Sequence, residues 1–125
     1  MILDTNALSA LAEGDEALAA CLAGVHDLCV PVVVLGEFRF GLRSSRHRRV
    51  YENWLREALR DLEVLPVLEA TADCYAVLCG ELKQAGTPIP SNDVWIAALA
   101  REHALPIVTR DQHFERVRGL RRIPW

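Results

Sequence analysis

Four carboxylates in this 125-residue chain stand at positions where α/β proteins do chemistry. Asp4 directly follows the apolar run "MIL", two residues separate Asp111 from the apolar part of "PIVTRD", Asp93 opens the helical pattern "NDVWIAALA", and Glu37 lies inside "VVVLGEFRF". Three of them have a local explanation. Asp4 and Asp111 can cap the turns after them, and Asp93 suits the positive end of a helix dipole. Glu37 resists that account, because a carboxylate amid Val33, Val34 and Phe38 is not buried without a partner, and local spacing offers only Arg39 or Arg43. Carboxylates gathered at one place repel each other unless a cation stands between them. Hard oxygen ligands suit Mg²⁺ or Mn²⁺, and such a site can activate a water and stabilise the charge on a phosphodiester as it is cut. The residue types point to metal-dependent phosphoryl chemistry.

The elements that must position these acids read as alternating strand and helix. "MIL", "DLCVP", "EVLPV" and "LPIVT" are strand candidates, and "RRIPW" adds a possible edge. "TNALSALAEG" and "DEALAACLAG" predict two short helices, stopped by Gly14 and Gly24. "PVVVLGEFRFGL" has strand-like valines, but Pro31 and the spacing Val34, Leu35, Phe38, Leu42 predict a helix entered from a strand. "RHRRVYENWLREALRDL" is amphipathic, with Val50, Trp54, Leu55, Leu59 and Leu62 on one face. "TADCYAVLCGELKQAG" predicts a helix capped by Thr71 and stopped by Gly86. In "TPIPSNDVWIAALA", Pro88 and Pro90 hold the chain extended, and Ser91 or Asn92 is the expected cap of the helix that follows, with Trp95, Ile96 and Leu99 in the core. Trp95 also has a ring that can stack on a base. The expected class is α/β, a single domain over residues 1–125, with a central, mainly parallel sheet flanked by helices on both faces. In such sheets ligands bind beyond the carboxyl ends of the strands, where Asp4 and Asp111 fall.

Composition narrows the function classes. Half the residues are apolar and a quarter charged, as in a folded soluble domain. No apolar run is long enough to span a bilayer, and the N-terminus lacks the order of a signal peptide, so the expected location is the cytoplasm. Cys21, Cys29, Cys74 and Cys79 form no C-x-x-C pair and read as reduced core residues. His26, His47, His103 and His113 show no metal-binding or general-base spacing. The net charge is −3, yet basic residues gather in Arg39–Arg49 and in Arg110–Arg122. These clusters are either solvated surface or phosphate contacts.

"LDTN", "GE" in the first long apolar segment, "NDVWIAALA" and "IVTRDQHFERV" occur together, in order and over nearly the whole chain. In this they resemble the PIN-domain ribonucleases, particularly the VapC-type toxins of bacterial toxin–antitoxin pairs. The resemblance implies that Asp4, Glu37, Asp93 and Asp111 hold one or two divalent metals, Mg²⁺ or Mn²⁺. It further implies that Asn6, with Thr5 and Thr109, orients the acids or the attacking water, and that metal-activated water hydrolyses RNA to leave a 5′-phosphate and a 3′-hydroxyl. It implies partners as well: a homodimer, and a small VapB-like antitoxin lying across the groove, for which the helix from Val50 to Leu62 and the segments near Phe38 and Phe40 offer apolar surface. In two respects the chain departs from the pattern. Only three residues stand ahead of Asp4, so the sheet is expected to be minimal on that side. Asn92 stands beside Asp93 where some relatives carry a further acid, which bears on the number of metals held.

Two other readings compete. A silent PIN-fold binding module would use the acids only as caps, and Glu37 argues against it. A phosphatase of the haloacid-dehalogenase type needs D-x-D, and this chain has "DTN".

Overall fold

The computed structural model describes all 125 residues. Five short strands form one sheet in the order β3-β2-β1-β4-β5: β1 Ile2–Leu3, β2 Cys29–Pro31, β3 Glu63–Leu65, β4 Ile107–Val108 and β5 Arg122–Ile123. Every pairing is parallel, with Ile2 opposite both Cys29 and Ile107 and Leu3 opposite Val108. The strands β1 and β4 at the centre are wholly apolar and fully buried, as a parallel sheet covered on both faces requires.

Six helices connect the strands: α1 Thr5–Glu13, α2 Glu16–Leu22, α3 Val32–Leu42, α4 Arg48–Ala58, α5 Glu69–Ala85 and α6 Ser91–Glu102. The chain moves outward from β1 through β2 to β3, then returns through α5 and α6 to β4 on the other side of β1. Right-handed crossovers therefore put α1 to α4 and α5 with α6 on opposite faces. The reversal falls between β1 and β4, which is the switch point where open α/β sheets bind ligands.

Local chemistry sets the helix limits. Gly14 ends α1 with φ of 75° and donates its N–H to the carbonyls of Ala10 and Leu11, a left-handed stop that a side chain would oppose. Helix α6 is apolar nearly all round, with Val94, Ile96, Ala97, Ala98, Leu99 and Ala100 buried, so it is clamped between α5, α3 and the turn after β4.

Several sequence expectations need correction. Thr71 is not the N-cap of α5: the helix begins two residues earlier at Glu69, and from its first turn the Thr71 hydroxyl accepts the Leu68 N–H at 3.0 Å and donates to Glu102 at 2.6 Å. Neither Ser91 nor Asn92 caps α6, whose N-cap position is Pro90 without a side-chain bond. On α4 only Leu55 is buried, and Val50 is 65 % exposed. That helix packs mainly on α3 and α1 through Leu55, with Tyr51, Trp54 and Ala58 partly buried beside it, while Val50 stays outside the contact. Leu59 and Leu62 lie past its end. Of the four free cysteines only Cys29 is buried. Trp95 is half-buried, stacked on Tyr75 of α5 at 3.9 Å between ring centroids, while Ile96 and Leu99 are core.

Candidate active site

Asp4 leaves β1 and caps α1, with Oδ1 accepting the Thr5 N–H at 2.7 Å. Its other oxygen, Oδ2, accepts from the Asn6 amide at 2.6 Å and from the Thr109 hydroxyl at 2.7 Å. Thr109 follows β4, directly across the switch point. Its fully buried hydroxyl also accepts the Asn6 amide at 3.0 Å and the Asp111 N–H at 2.9 Å. Asn6 closes the circuit by accepting the Arg110 N–H at 3.0 Å. A closed hydrogen-bonded web thus ties the end of β1 to the end of β4 and fixes the directions of Asp4 and Asp111.

Glu37 reaches the same place from α3, and its partner is neither of the arginines that sequence spacing offered. Oε2 accepts the Thr5 hydroxyl in a short hydrogen bond, and Oε1 accepts the Asn92 amide at 2.7 Å. The residue in the place of an additional acid is therefore a donor to Glu37. Asp93, in the first turn of α6, completes the quartet. The structure brings Asp4, Glu37, Asp93 and Asp111 to one open depression of about 620 Å³, which Thr5, Asn6, Ser9, Phe40 and Asn92 also line.

The electrostatics differ between the acids. Burial lifts the Asp4 carboxyl above its ordinary value, against the pull of the Thr109 hydroxyl and the Thr5 N–H, and the charges of Glu37 and Asp111 add to the rise. Asp93 is pushed up to about 6, first by burial and then by the charges of Asp4 and Asp111, with His113 opposing. No protein group donates a hydrogen bond to Asp93. A partly buried carboxylate facing like charges without donors is a group that lacks its counter-charge. Four hard oxygen donors from four elements around an open depression are the donor set of a Mg²⁺ or Mn²⁺ site, so these residues fit such an ion.

Sequence reading missed His113, whose spacing suggested nothing. Asp111 Oδ1 accepts the His113 N–H at 2.8 Å, and this tight turn sets the imidazole Nδ1 3.2 Å from Asp111 and 3.6 Å from Asp93. The only available signal was the Asp-x-His order in "RDQHF". The arginine clusters divide into two kinds. Arg110 pairs with Asp15, Arg122 with Glu115 and Arg48 with Glu52, whereas Arg39 and Arg43 have no acidic partner and line a second groove of about 640 Å³ between α3 and α4. Phe40, 76 % exposed, stands on the rim between that groove and the acidic depression.

The PIN-domain family model matches residues 1–120. Ribonuclease VapC5 of Mycobacterium tuberculosis is 33% identical over 123 residues, covering 94% of this chain and 87% of the relative. The chain belongs to the PIN-domain family, in its VapC branch. The VapC ribonuclease Y4jK of Sinorhizobium fredii is a further relative, 34% identical over 136 residues that cover 100% of this chain and 97% of the relative. Among solved structures, this PIN domain is similar to a chain of VapBC2 from Rickettsia felis bound to a promoter DNA fragment, with a TM-score of 0.89 and 25% identity over 99% of this chain and 97% of the other. Membership bears out the expected parallel α/β fold and the expectation of a nuclease. Within this centre Asn92 is bonded to Glu37, and His113 faces Asp93 and Asp111.

Proposed function

We propose that this PIN domain is a divalent-metal-dependent endoribonuclease acting as the toxin of a type II toxin–antitoxin pair in the cytoplasm. The observation that carries the reading is the convergence of Asp4, Glu37, Asp93 and Asp111 from four elements, with Asp93 lacking any donor and raised to about 6. In this reading the four acids are the metal ligands. Bound Mg²⁺ or Mn²⁺ supplies neutralisation of the clustered charge and of the phosphodiester, and makes a water acidic enough to attack phosphorus. The chain's own residues then have distinct tasks. Thr109 and Asn6 hold Asp4 in one orientation, Thr5 and Asn92 hold Glu37, and Asp111 is aimed by the N–H that reaches the Thr109 hydroxyl. Arg39 and Arg43 draw the flanking RNA phosphates toward the depression, a sequence-blind attraction.

For the partner, the similar solved chain comes from a complex named VapBC2, and a VapB-like antitoxin is the corresponding occupant here. The groove between α3 and α4, with Phe40 at its rim and Leu55 and Leu59 in its wall, is its seat on this chain. A homodimer completes the assembly. No helix is long and apolar enough to cross a membrane.

A silent binding module draws support from one observation: Asp4 and Asp111 do cap α1 and the turn after β4. Glu37 and Asp93 cap nothing, which weighs against it. The deciding experiment is cleavage of total RNA by purified protein with Mg²⁺ or Mn²⁺ and with EDTA, beside an Asp93→Asn variant whose fold is verified by circular dichroism. Metal-dependent cutting lost in the variant supports the nuclease. Equal background cutting by both proteins supports the binding module.

A further inference from the structure

We propose that His113 is itself a metal ligand, forming with Asp93 and Asp111 a mixed nitrogen–oxygen half of the site that favours Mn²⁺ over Mg²⁺. This rests on the metal-dependent reading above and goes beyond the acidic quartet.

The two sides of the centre are unlike. Asp4 accepts three hydrogen bonds and Glu37 two, so most of their lone pairs are already engaged by Thr5, Asn6, Thr109 and Asn92. On the other side Asp93 has no donor, and Asp111 presents Oδ2 to the imidazole alone. The strongest unmet demand for a cation is therefore at Asp93 and Asp111, where His113 stands.

Distances fit shared ligation. Donors at adjacent corners of an octahedron with bonds of about 2.1 Å lie about 3 Å apart. Nδ1 is 3.2 Å from Asp111 Oδ1 and 3.6 Å from Asp93 Oδ2, and one ligand atom from each of the three residues falls within 4.8 Å of the others. The backbone bond from His113 to Asp111 fixes the turn from which the ring reaches the two acids. With the ring proton on Nε2, the Nδ1 lone pair faces between the two acids. The side chain is 40 % exposed, which leaves an entry path.

The donor type sets the preference. Mg²⁺ takes oxygen and keeps its waters, whereas imidazole suits transition ions, and Mn²⁺ accepts both donors. A single nitrogen added to an all-oxygen set raises Mn²⁺ affinity and leaves Mg²⁺ affinity nearly unchanged.

The test is binding rather than turnover. Metal-free full-length protein is titrated with Mn²⁺ and followed by electron paramagnetic resonance, with pulsed spectra searched for ¹⁴N modulation from a coordinated imidazole, and Mg²⁺ is measured by competition. The expected result is ¹⁴N modulation in the wild type that disappears in both His113→Ala and His113→Gln. Mn²⁺ affinity should fall about tenfold or more, while Mg²⁺ affinity changes by less than about threefold. Mn²⁺ bound without nitrogen modulation, or equal losses for the two ions, overturns the role of His113 and leaves the metal-dependent nuclease standing. A wild-type protein that binds Mg²⁺ but no Mn²⁺ overturns the role of His113 alone, and one that binds neither ion overturns both.

Discussion

Asn92 at the start of α6 donates its side-chain amide to Glu37 of α3 at 2.7 Å, across 55 positions of sequence. Without that bond the two helices would meet at the depression through a carboxylate facing other carboxylates. Replacing Asn92→Asp removes the donor and adds a like charge beside Glu37. Its metal-free melting temperature should fall by about 5 °C, and Mg²⁺ or Mn²⁺ should recover more stability in the variant than in the wild type. Differential scanning calorimetry with EDTA and with metal measures both effects. An unchanged melting temperature in EDTA would mean that the bond contributes nothing.

The raised Asp93 predicts a pH dependence with a definite sign. The folded protein holds the Asp93 proton up to about pH 6, and the unfolded chain releases it near 3.8. The stabilisation from that proton is therefore full below about pH 4 and is lost as pH rises through 6. Asp93→Asn cannot ionise, so in EDTA it should be more stable than wild type above pH 6, by up to about 3 kcal/mol, with the gap closing toward pH 4. Urea midpoints of the two proteins between pH 4 and 8 give the difference directly.

Thr109 is the hub of the web, and its hydroxyl serves Asp4, Asn6 and Asp111 at once. Thr109→Val keeps the shape and removes all three bonds, leaving buried polar groups without partners. The expected loss is about 2–3 kcal/mol, seen as a lower urea midpoint at unchanged slope. RNA cleavage should drop at least about tenfold because Asp4 is no longer held in one direction.

Phe40 is exposed and supports little of the core. Phe40→Ala should leave stability within about 0.5 kcal/mol of wild type. Calorimetric titration with a small protein that suppresses the RNA cleavage should show binding weakened about tenfold or more, as for a central aromatic anchor. Full-strength binding would move the antitoxin's seat away from the groove between α3 and α4.

Much of this was legible in the sequence because strand ends are local features. Asp4 and Asp111 stand at the ends of apolar runs, and parallel pairing of those runs brings them together. The partners of Glu37 were not legible, since Thr5 and Asn92 lie 32 and 55 positions away on other helices. His113 was hidden because its place depends on a backbone bond within the turn, not on helical or strand spacing. Thr71 was misplaced for a related reason: a hydroxyl in the first turn can serve the N-terminal N–H as well as one in front of it, and composition does not separate the two. The exposure of Val50 was equally unreadable, because an apolar pattern marks a face of α4 but not how much of it α3 and α1 cover.

The bond between Asp4 and Thr109 spans 105 positions. During synthesis Asp4 is joined long before Thr109, and at roughly 5–20 residues per second the interval is on the order of 5 to 20 s. Throughout that time β4 does not exist, β1 lacks its neighbour at the switch point, and Asp4 has neither its buried hydroxyl nor Asp111 beside it. A growing polypeptide therefore carries no assembled centre past the RNA of the ribosome that makes it. The centre closes only after Thr109 and Asp111 have been joined.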